Sequence, residues 1–279
     1  DLLLVSNRDA ALGSGNVFRV PAKADGFEDR VQVLAEQTLY RTQPDVSIDG
    51  RRFIFSSTRG AADQFNNLYV QPTGGGEPYK MTFFQHDAFH PRWSPDGEWI
   101  SFIDNNGENG LPRLRLLETY GGRIVDVNIS GRRWLNQMGK LSMTTLGSDG
   151  QPTATRVHVI ASDGKFYAPS NQYARMPQRA RVGAFHHEGS FEVELPIGET
   201  RLIVVKGFEH VPIDQTITIN AGETAAVTVQ LEKMIDMASK GWYNGSTHVH
   251  ANYGGNLHNS LENMMMMSDA EDQDIVLEQ

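Results

Sequence analysis

Residues 44–55 read Pro44-Asp-Val-Ser-Ile-Asp-Gly-Arg-Arg-Phe-Ile-Phe55, and the chain repeats this pattern 47 residues later as Pro91-Arg-Trp-Ser-Pro-Asp-Gly-Glu-Trp-Ile-Ser-Phe102. In both copies a Ser-x-Asp-Gly turn precedes a short segment rich in aromatic and β-branched residues, which favour strands. A second strand follows each copy, as Asn67-Leu-Tyr-Val-Gln-Pro72 and as Leu114-Arg-Leu-Leu-Glu118. The sequence therefore contains a β-rich repeat, and residues 16–21 look like the same strand one repeat earlier.

A period of this length, with Asp-Gly turns between short strands, is typical of β-propeller blades. Asp49-Gly50 and Asp96-Gly97 suit tight hairpin turns that need positive φ. The Ser-Pro-Asp-Gly core at residues 94–97 resembles the repeats of TolB-type propellers, whereas residues 47–50 depart from it at their second position. We therefore predict incomplete TolB-like blades over residues 1–127. The alternative is a set of ordinary β-hairpins in a sandwich.

The repeats are too few for a closed propeller. About two and a half are present, whereas propellers close with four to eight blades. An open stack would leave strand edges and one blade face uncovered. We therefore expect further polypeptide, from upstream sequence or from a partner chain, to supply the remaining blades.

Residues 138–232 change to alternating strands separated by turn residues, which indicates a small antiparallel sandwich. The five predicted strands cover residues 141–146, 156–161, 190–195, 200–205 and 224–231. The stretch Gly189-Ser-Phe-Glu-Val-Glu-Leu-Pro-Ile-Gly-Glu199 resembles carboxypeptidase-regulatory-like domains, which have a transthyretin-like β-sandwich fold. By this resemblance the segment is a scaffold, and no catalytic group is predicted in it.

Residues 234–279 read as a strand, a Gly-rich loop, a helix and another strand. Ser260 is a good N-cap residue, and helix formers follow it up to Glu271. Residues 274–277 then read as the next strand. This order is typical of the start of an α/β barrel or of an open α/β sheet. The four methionines at 264–267 cover every direction on a helix, so we expect it to be buried on most sides.

His248 and His250 are the leading candidates for a functional site. On an extended strand the side chains alternate between faces, so His-x-His places two imidazoles on the same side. Neutral imidazole is the commonest protein metal ligand, and two of them supply half of a four-coordinate shell. The alternative is a pair of solvated or hydrogen-bonded structural histidines.

The run Gly241-Trp-Tyr-Asn-Gly-Ser-Thr-His-Val-His250, followed by Asn252-Tyr-Gly-Gly255, resembles the first metal-binding motif of the polymerase-and-histidinol-phosphatase (PHP) metallohydrolases. The order of TolB-type repeats, regulatory-like sandwich and His-Val-His motif is similar to that of the CehA/McbA branch. The resemblance implies a mainly β fold: a partial β-propeller, a transthyretin-like β-sandwich, and the start of a PHP-type α/β barrel. One ligand motif of that barrel falls within the chain.

The same resemblance implies a metal-dependent hydrolase of an ester, carbamate, amide or phosphoester bond in a small-molecule substrate. In the PHP superfamily, further His and acidic residues hold two or three divalent ions, typically zinc, manganese or iron. These ions lower the pKa of a bound water, so that a hydroxide nucleophile exists near neutral pH. His248 and His250 would each donate a ring nitrogen, and the remaining ligands are expected outside this chain.

The other histidines are assigned structural or surface roles. We expect His258, near the start of the helix, to lie on the surface. His186 and His187 are adjacent, so on a strand they point in opposite directions and are disfavoured as joint ligands. The remaining group falls between the predicted blades, where we expect a hydrogen bond between blades rather than a site; its members are His86, Asp87 and His90.

Acidic and aromatic clusters are also interpreted structurally. Asp269, Glu271 and Asp272 have the spacing of a solvated helix face. The aromatic residues of the repeat are expected to form blade cores, with a carbohydrate-stacking groove as the alternative; they are Trp93, Trp99, Phe83 and Phe84.

Composition narrows the classes of partner. The chain of 279 residues has a formal net charge of −9 and no basic tract, which disfavours nucleic acid and anionic membrane surfaces. It has no cysteine, so disulfides and thiolate metal sites are excluded. No apolar run approaches the roughly 18 residues that predict a membrane span. The lack of cysteine fits an exported protein, and we expect an extracellular or periplasmic location.

Two functions from different classes follow. The first is a PHP-type metallohydrolase whose catalytic domain extends beyond this sequence. The second is a non-catalytic extracellular binding or assembly module, because propeller blades and β-sandwiches are interaction platforms and open strand edges pair with partners. The predicted domains are 1–127, 138–232 and 234–279.

Overall fold

The computed structural model describes residues 1–8, 15–36, 43–60, 65–107, 110–120, 122–172, 174–175, 183–249 and 260–278. These residues belong to two compact units, one within 1–130 and the other formed by 131–249 and 260–278. Strands dominate both units, which confirms the prediction of a mainly β chain. The finer division into three domains stays a prediction.

The first unit contains three antiparallel sheets that follow one another along the chain. The first sheet has the strand order β1-β2-β3, the second β4-β5-β6-β7 and the third β11-β10-β9-β8, so each is a meander. The strands are β1 (Leu2–Ser6), β2 (Asn16–Val20), β3 (Val31–Leu34), β4 (Asp45–Val46), β5 (Arg52–Ser57), β6 (Asn67–Pro72), β7 (Tyr79–Lys80), β8 (Ala88–Trp93), β9 (Trp99–Asp104), β10 (Arg113–Glu118) and β11 (Ile124–Asp126). Two four-stranded sheets thus follow the predicted repeat, and none of the sheets formed by described residues is closed.

Successive sheets of this unit pack face to face through apolar side chains. Phe53, Phe55 and Tyr69 of the second sheet pack with Val17 and Leu34 of the first. The opposite face of the second sheet packs on the third through a cluster formed by Ile54, Leu68, Val70, Ala88, Ile100, Phe102 and Leu117. A sheet that is apolar on both faces is what stacking between two neighbouring blades requires.

The Ser-x-Asp-Gly turns have the same construction in both repeats. The Ser94 hydroxyl donates to Asp96 Oδ1 at 2.5 Å and accepts from the backbone N–H of Trp99 at 2.9 Å. Ser47 forms the matching bonds, to Asp49 Oδ1 at 2.6 Å and from Arg52 N–H at 3.0 Å. The glycine of each turn, Gly50 or Gly97, takes positive φ, whereas the aspartates do not. The departure of residues 47–50 from Ser-Pro-Asp-Gly therefore leaves the turn unchanged.

Hydrogen bonds between neighbouring sheets are confirmed at Asp87. Its buried carboxylate accepts from the backbone N–H and the side-chain amide of Asn66, both at 2.9 Å. His86 does not take part in these hydrogen bonds; its Nε2 atom lies 3.3 Å from Asp104 Oδ2. The expectation that all the aromatic residues of the repeat form blade cores is wrong for Phe83, which is 77% exposed.

The second unit begins with a β-sandwich of two sheets, with strand orders β16-β12-β19 and β14-β15-β13-β17-β18. Its strands are β12 (Met138–Leu146), β13 (Thr155–Ile160), β14 (Ala174–Arg175), β15 (Ala184–His187), β16 (Ser190–Pro196), β17 (Gly198–Val205), β18 (Ile213–Ile219) and β19 (Thr224–Gln230). Buried side chains from both sheets form one core, which includes Leu141, Met143, Val157, Val159, Phe185, Phe191, Leu195, Leu202 and Val204. All five predicted strands are present.

Two features of the sandwich differ from the prediction. Three strands, β14, β15 and β18, were not predicted, although β18 alternates between half-buried and exposed residues as an amphipathic strand should. The purely antiparallel arrangement is wrong, because β12 pairs with β19 in parallel. The chain crosses from β18 in one sheet to β19 in the other, and this crossover frees β19 to run alongside β12 in the same direction.

The rest of the second unit is a strand–helix–strand segment formed by β20 (Gly245–Val249), α1 (Leu261–Ala270) and β21 (Ile275–Glu278). β20 and β21 pair in parallel, and α1 packs on β13 and β15 of the sandwich. Ser260 caps the helix as predicted, accepting from Asn263 N–H at 3.1 Å. The expectation that the helix is buried on most sides is wrong: Met264 is buried, whereas Met265 is 61% exposed. Whether this segment starts a barrel stays a prediction.

Within the described residues, no helix has both the length and the apolar character needed to cross a bilayer.

Candidate metal site

The predicted ligand strand is present as β20, and His248 is its fourth residue. The side chain of His248 and the whole of His250 lie outside the described residues, as does His258. The structure therefore gives the backbone of the motif as far as Val249, which includes that of His248. In a parallel α/β arrangement, ligands bind outside the carboxyl ends of the strands, and His248 is one residue from the carboxyl end of β20.

Asn244, immediately before β20, fixes the position of this strand against β21. Its side-chain amide donates to the carbonyl oxygen of Asp272 at 2.6 Å, and its backbone N–H donates to Asp274 Oδ2 at 2.9 Å. The carbonyl oxygen of Asn244 accepts from the N–H groups of Asp274 and Ile275, both at 3.2 Å. Four hydrogen bonds on one residue thus hold the start of β20, where Gly245 pairs with Ile275 and Ser246 with Val276, and the register shifts before Val249.

Gly245 allows the two strands to approach closely at this point. A Cβ atom added to Gly245 would lie 2.5 Å from the carbonyl oxygen of Ile275. Such a distance is far inside van der Waals contact, so any larger residue would displace one of the two strands. The parallel pairing of β20 with β21 therefore requires Asn244 and Gly245 at the start of the motif. These residues lie four and three positions before His248.

The end of α1 is held on the sandwich by Glu271. Its Oε1 atom accepts from Arg156 Nη1 at 2.7 Å and lies 2.9 Å from His186 Nε2. Burial raises the pKa of Glu271, but the contacts with His186 and Arg156 outweigh it and hold the pKa below its ordinary value. His186 is 5% exposed at its side chain, so the ion pair is partly removed from water.

Two acidic residues close to Glu271, Asp269 and Asp272, make similar contacts with basic side chains. The buried Lys206 ammonium donates to the backbone carbonyl of Asp269 at 2.5 Å and to its Oδ1 at 3.2 Å. His210 Nδ1 lies 3.3 Å from Asp272 Oδ2. The prediction of a solvated acidic helix face is therefore wrong for Glu271 and Asp272, which are half-buried against the sandwich, whereas the Asp269 side chain is 68% exposed. Local spacing revealed the charges but gave no sign of their partners.

His187 has a purely structural role. The backbone N–H of Gly189 donates to Nδ1 at 3.1 Å, so Nε2 carries the proton and donates to Thr155 Oγ1 at 2.8 Å. Burial, with a smaller contribution from the charge of His186, lowers the pKa of His187 to about 4. His186 and His187 thus turn to different partners, in agreement with the expectation that they do not act jointly as ligands.

A cluster of charged residues in the first unit is likewise structural. Asp104 is fully buried and accepts from Arg113 and Arg115 at 3.0–3.3 Å, with His86 alongside. Burial raises the pKa of Asp104, but these contacts hold it well below its ordinary value. Throughout the part of the chain that the structure describes, no group of three or more His, Asp or Glu residues is arranged to hold a metal ion.

Comparisons with known proteins give short or distant matches. No family model matches the chain. A Bacillus subtilis (strain 168) protein named uncharacterized peptidase YuxL is 44% identical over 68 residues, which is 24% of this chain and 10% of that protein. The chain thus matches about a tenth of the length of this curated relative.

Among solved structures, TolB from Acinetobacter baumannii superposes with a TM-score of 0.37 and 12% identity over 79% of this chain and 52% of TolB. The tricorn protease superposes with a TM-score of 0.33 and 14% identity over 75% of this chain and 19% of that protein.

Proposed function

We propose that the chain is part of a metal-dependent hydrolase, in which His248 and His250 hold a divalent ion. The observation that carries the proposal is the position of the motif on β20. This strand pairs in parallel with β21 and is followed by α1, so the motif approaches the carboxyl edge at which α/β proteins build their sites.

A similarity to a known protein also supports the broad class of reaction, hydrolysis. The relative that shares 44% identity over 68 residues is named a peptidase, and peptidases are hydrolases. This match favours a hydrolase of some kind and is silent on metal dependence. The PHP-like motif extends the proposal to hydrolysis of an ester, carbamate, amide or phosphoester bond.

The donor set suits zinc, manganese or iron, because imidazole binds all three. His248 and His250 would supply two ligands, and the others would come from outside the described residues. When bound, the ion supplies Lewis-acid chemistry that lowers the pKa of a water molecule. The chain's own contribution is positional: Asn244 and Asp274 fix β20 against β21, and Glu271 fixes α1 against the sandwich.

The test is the metal content of the intact protein, measured by elemental analysis after removal of free metal. We expect zinc, manganese or iron to co-purify, and a His248→Ala/His250→Ala variant to lose most of it. The control is His158→Asn, which removes an imidazole from the sandwich while keeping a donor for the Gly183 carbonyl oxygen that His158 Nδ1 contacts at 2.9 Å. This control should retain its metal.

An intact protein without bound metal, or a double variant with unchanged metal content, would overturn the proposal. The first result would favour the alternative, a non-catalytic module in which blades and sandwich bind other molecules. An extracellular or periplasmic location, and further polypeptide that completes the blades, are part of both proposals.

A further inference from the structure

The first unit contains a pocket of about 310 Å³ at the seam between its second and third sheets. Its size lies at the lower end of the range for small-molecule sites. We call it the seam pocket and define it by the polar and aromatic residues that line it, which are Arg52, Tyr79, Trp93, Glu118, Thr119 and Tyr120. None of these residues belongs to the His248 motif.

Arg52 is the central cation of the seam pocket. Its guanidinium carbon lies 5.9 Å from the ring centroid of Trp93 and 5.4 Å from that of Tyr120. One guanidinium N–H also donates to the Tyr120 hydroxyl at 2.9 Å. Within the residues that the structure describes, no carboxylate forms an ion pair with Arg52. Asp49 interacts electrostatically with Arg52, which helps to lower the pKa of Asp49, but does not form an ion pair with it. A guanidinium that aromatic side chains orient and that no carboxylate contacts directly can bind a carboxylate in bidentate geometry.

The other walls add apolar surface and polar groups. The rings of Tyr79 and Tyr120 are 64% and 77% exposed, so they offer faces to a ligand. Glu118 supplies an acceptor, and its charge is partly offset by Arg123, whose Nη2 atom lies 3.7 Å from Glu118 Oε1. Thr119 is more than nine-tenths buried, and its hydroxyl has no hydrogen-bond partner in the described part of the chain. A buried hydroxyl without a partner is costly, and it adds unused hydrogen-bonding capacity to the wall of the pocket.

We propose that the seam pocket binds a small ligand that carries a carboxylate and neighbouring hydroxyl or ammonium groups, of the size of one sugar acid or one amino acid. Arg52 binds the carboxylate, Glu118 accepts from the hydroxyl or ammonium group, and the aromatic rings cover the apolar face of the ligand. The inference rests on residues of the first unit alone. It therefore stands or fails independently of the proposed metal site.

The test is calorimetric titration of the full chain with three probes at low ionic strength: D-glucuronate, L-phenylalanine and D-glucose. We expect at least one of the two carboxylate probes to bind and to change the tryptophan fluorescence of the chain, and D-glucose, which lacks the carboxylate, to bind at least about tenfold more weakly. The carboxylate probe that binds with the higher affinity shows whether the ligand is a sugar acid or an amino acid. Equal binding of D-glucose, or no binding of either carboxylate probe at about 10 mM, would overturn the proposal.

Substitution of Arg52 gives the residue-level test. Arg52→Gln should weaken binding of the carboxylate probe roughly ten- to a hundredfold, because it removes charge-assisted hydrogen bonds. The matched control is Arg51→Gln, an exposed neighbour that does not line the pocket, and it should bind as the wild type does. Should Arg52→Gln fail to fold, Arg52→Lys is the second variant. It keeps the positive charge but loses the paired guanidinium N–H donors, so it should still weaken binding. Unchanged affinity in the folded Arg52 variant would overturn the assignment.

Discussion

The sandwich and the strand–helix–strand segment of the second unit are held by different forces. The sandwich has a continuous core in which residues such as Phe185, Leu202 and Val204 are fully buried. The segment contributes few buried apolar side chains, among them Met264 and Ala270, and Leu261 and Ile275 stay more than half exposed. Its attachment depends instead on Glu271, Asp269 and Asp272.

This difference predicts two kinds of response. Apolar burial contributes about 25 cal/mol per Å² and is insensitive to pH, so the sandwich should respond most to loss of volume. Partly buried ion pairs are worth less and depend on the protonation of their members, so the segment should respond to charge. A segment held in this way can open without unfolding the sandwich, as local opening of weakly packed elements does.

The largest effect is expected from Phe185→Ala in the sandwich core. Phe185 is fully buried and packs edge-to-face on Phe191, with ring centroids 4.9 Å apart. Removing a buried aromatic ring costs about 3–5 kcal/mol, which should appear as a lower free energy of unfolding of the sandwich in hydrogen-exchange mass spectrometry. Phe208→Ala is the matched control, because Phe208 is 98% exposed; it should change stability by less than about 0.5 kcal/mol. Similar losses in both variants would contradict the comparison.

The next effect is an exception to this contrast, a pH dependence of the sandwich that comes from His187, a titratable residue buried in it. Its pKa is about 4 in the folded chain against 6.5 when unperturbed, so the unfolded state binds the proton first. The contribution of His187 to the free energy of unfolding is fully present above pH 6.5 and is lost as the pH falls towards 4. The loss is on the order of 3 kcal/mol. The main physical reason is burial, which disfavours the charged imidazolium, and a proton on Nδ1 would also face the N–H of Gly189.

Urea unfolding of the sandwich between pH 7 and pH 4 measures this loss. A His187→Gln variant should be less stable at pH 7 but should lose the decline between pH 6.5 and 4. An unchanged decline in that variant would show that another group titrates there, and that His187 is not the pH-sensitive residue of the core.

Much of this architecture could be predicted from local sequence, because the signals are themselves local. The Ser-x-Asp-Gly turns are closed by side chains within five residues, and Ser260 caps α1 through a residue three positions away. The strand β18 was missed although its alternation was legible. Its apolar positions are Ile213, Ile217 and Ile219, with polar residues between them.

The parts that could not be predicted depend on distant residues. Glu271 meets Arg156, which is 115 residues earlier in the chain, and His186, which is 85 residues earlier. Helical spacing alone makes Glu271 look like a solvated residue, since nothing in the local sequence specifies what the helix packs against. The seam pocket has the same origin: Arg52 and Tyr120 are 68 residues apart and meet only when two repeats stack. The His-x-His motif can be recognised from adjacent residues, but the other ligands of a metal ion would be distant in sequence and cannot be predicted in this way.

The smallest and most specific effect is expected from Glu271→Gln, which keeps the shape of the side chain and removes its charge. Arg156 and His186 then lose their anionic partner, and the local opening free energy of α1 should fall by about 1–3 kcal/mol. Hydrogen-exchange mass spectrometry of peptides from α1 and from β17 measures the two regions separately; β17 should be unchanged. Because the pKa of Glu271 is lowered in the folded chain, its contribution is present above the unperturbed value of 4.5 and is lost as the pH falls through the folded value.

Glu262→Gln provides the control within the same helix. Glu262 lies exposed in the first turn of α1, where a carboxylate gains only the interaction with the helix dipole. This substitution should lower the opening free energy of α1 by about 0.5 kcal/mol, less than Glu271→Gln does. Equal effects of the two substitutions would mean that the contacts of Glu271 with Arg156 and His186 contribute no more to the stability of α1 than a solvated carboxylate does. The segment would then be held by helix propensity and apolar contact, and the contrast with the sandwich would be one of degree.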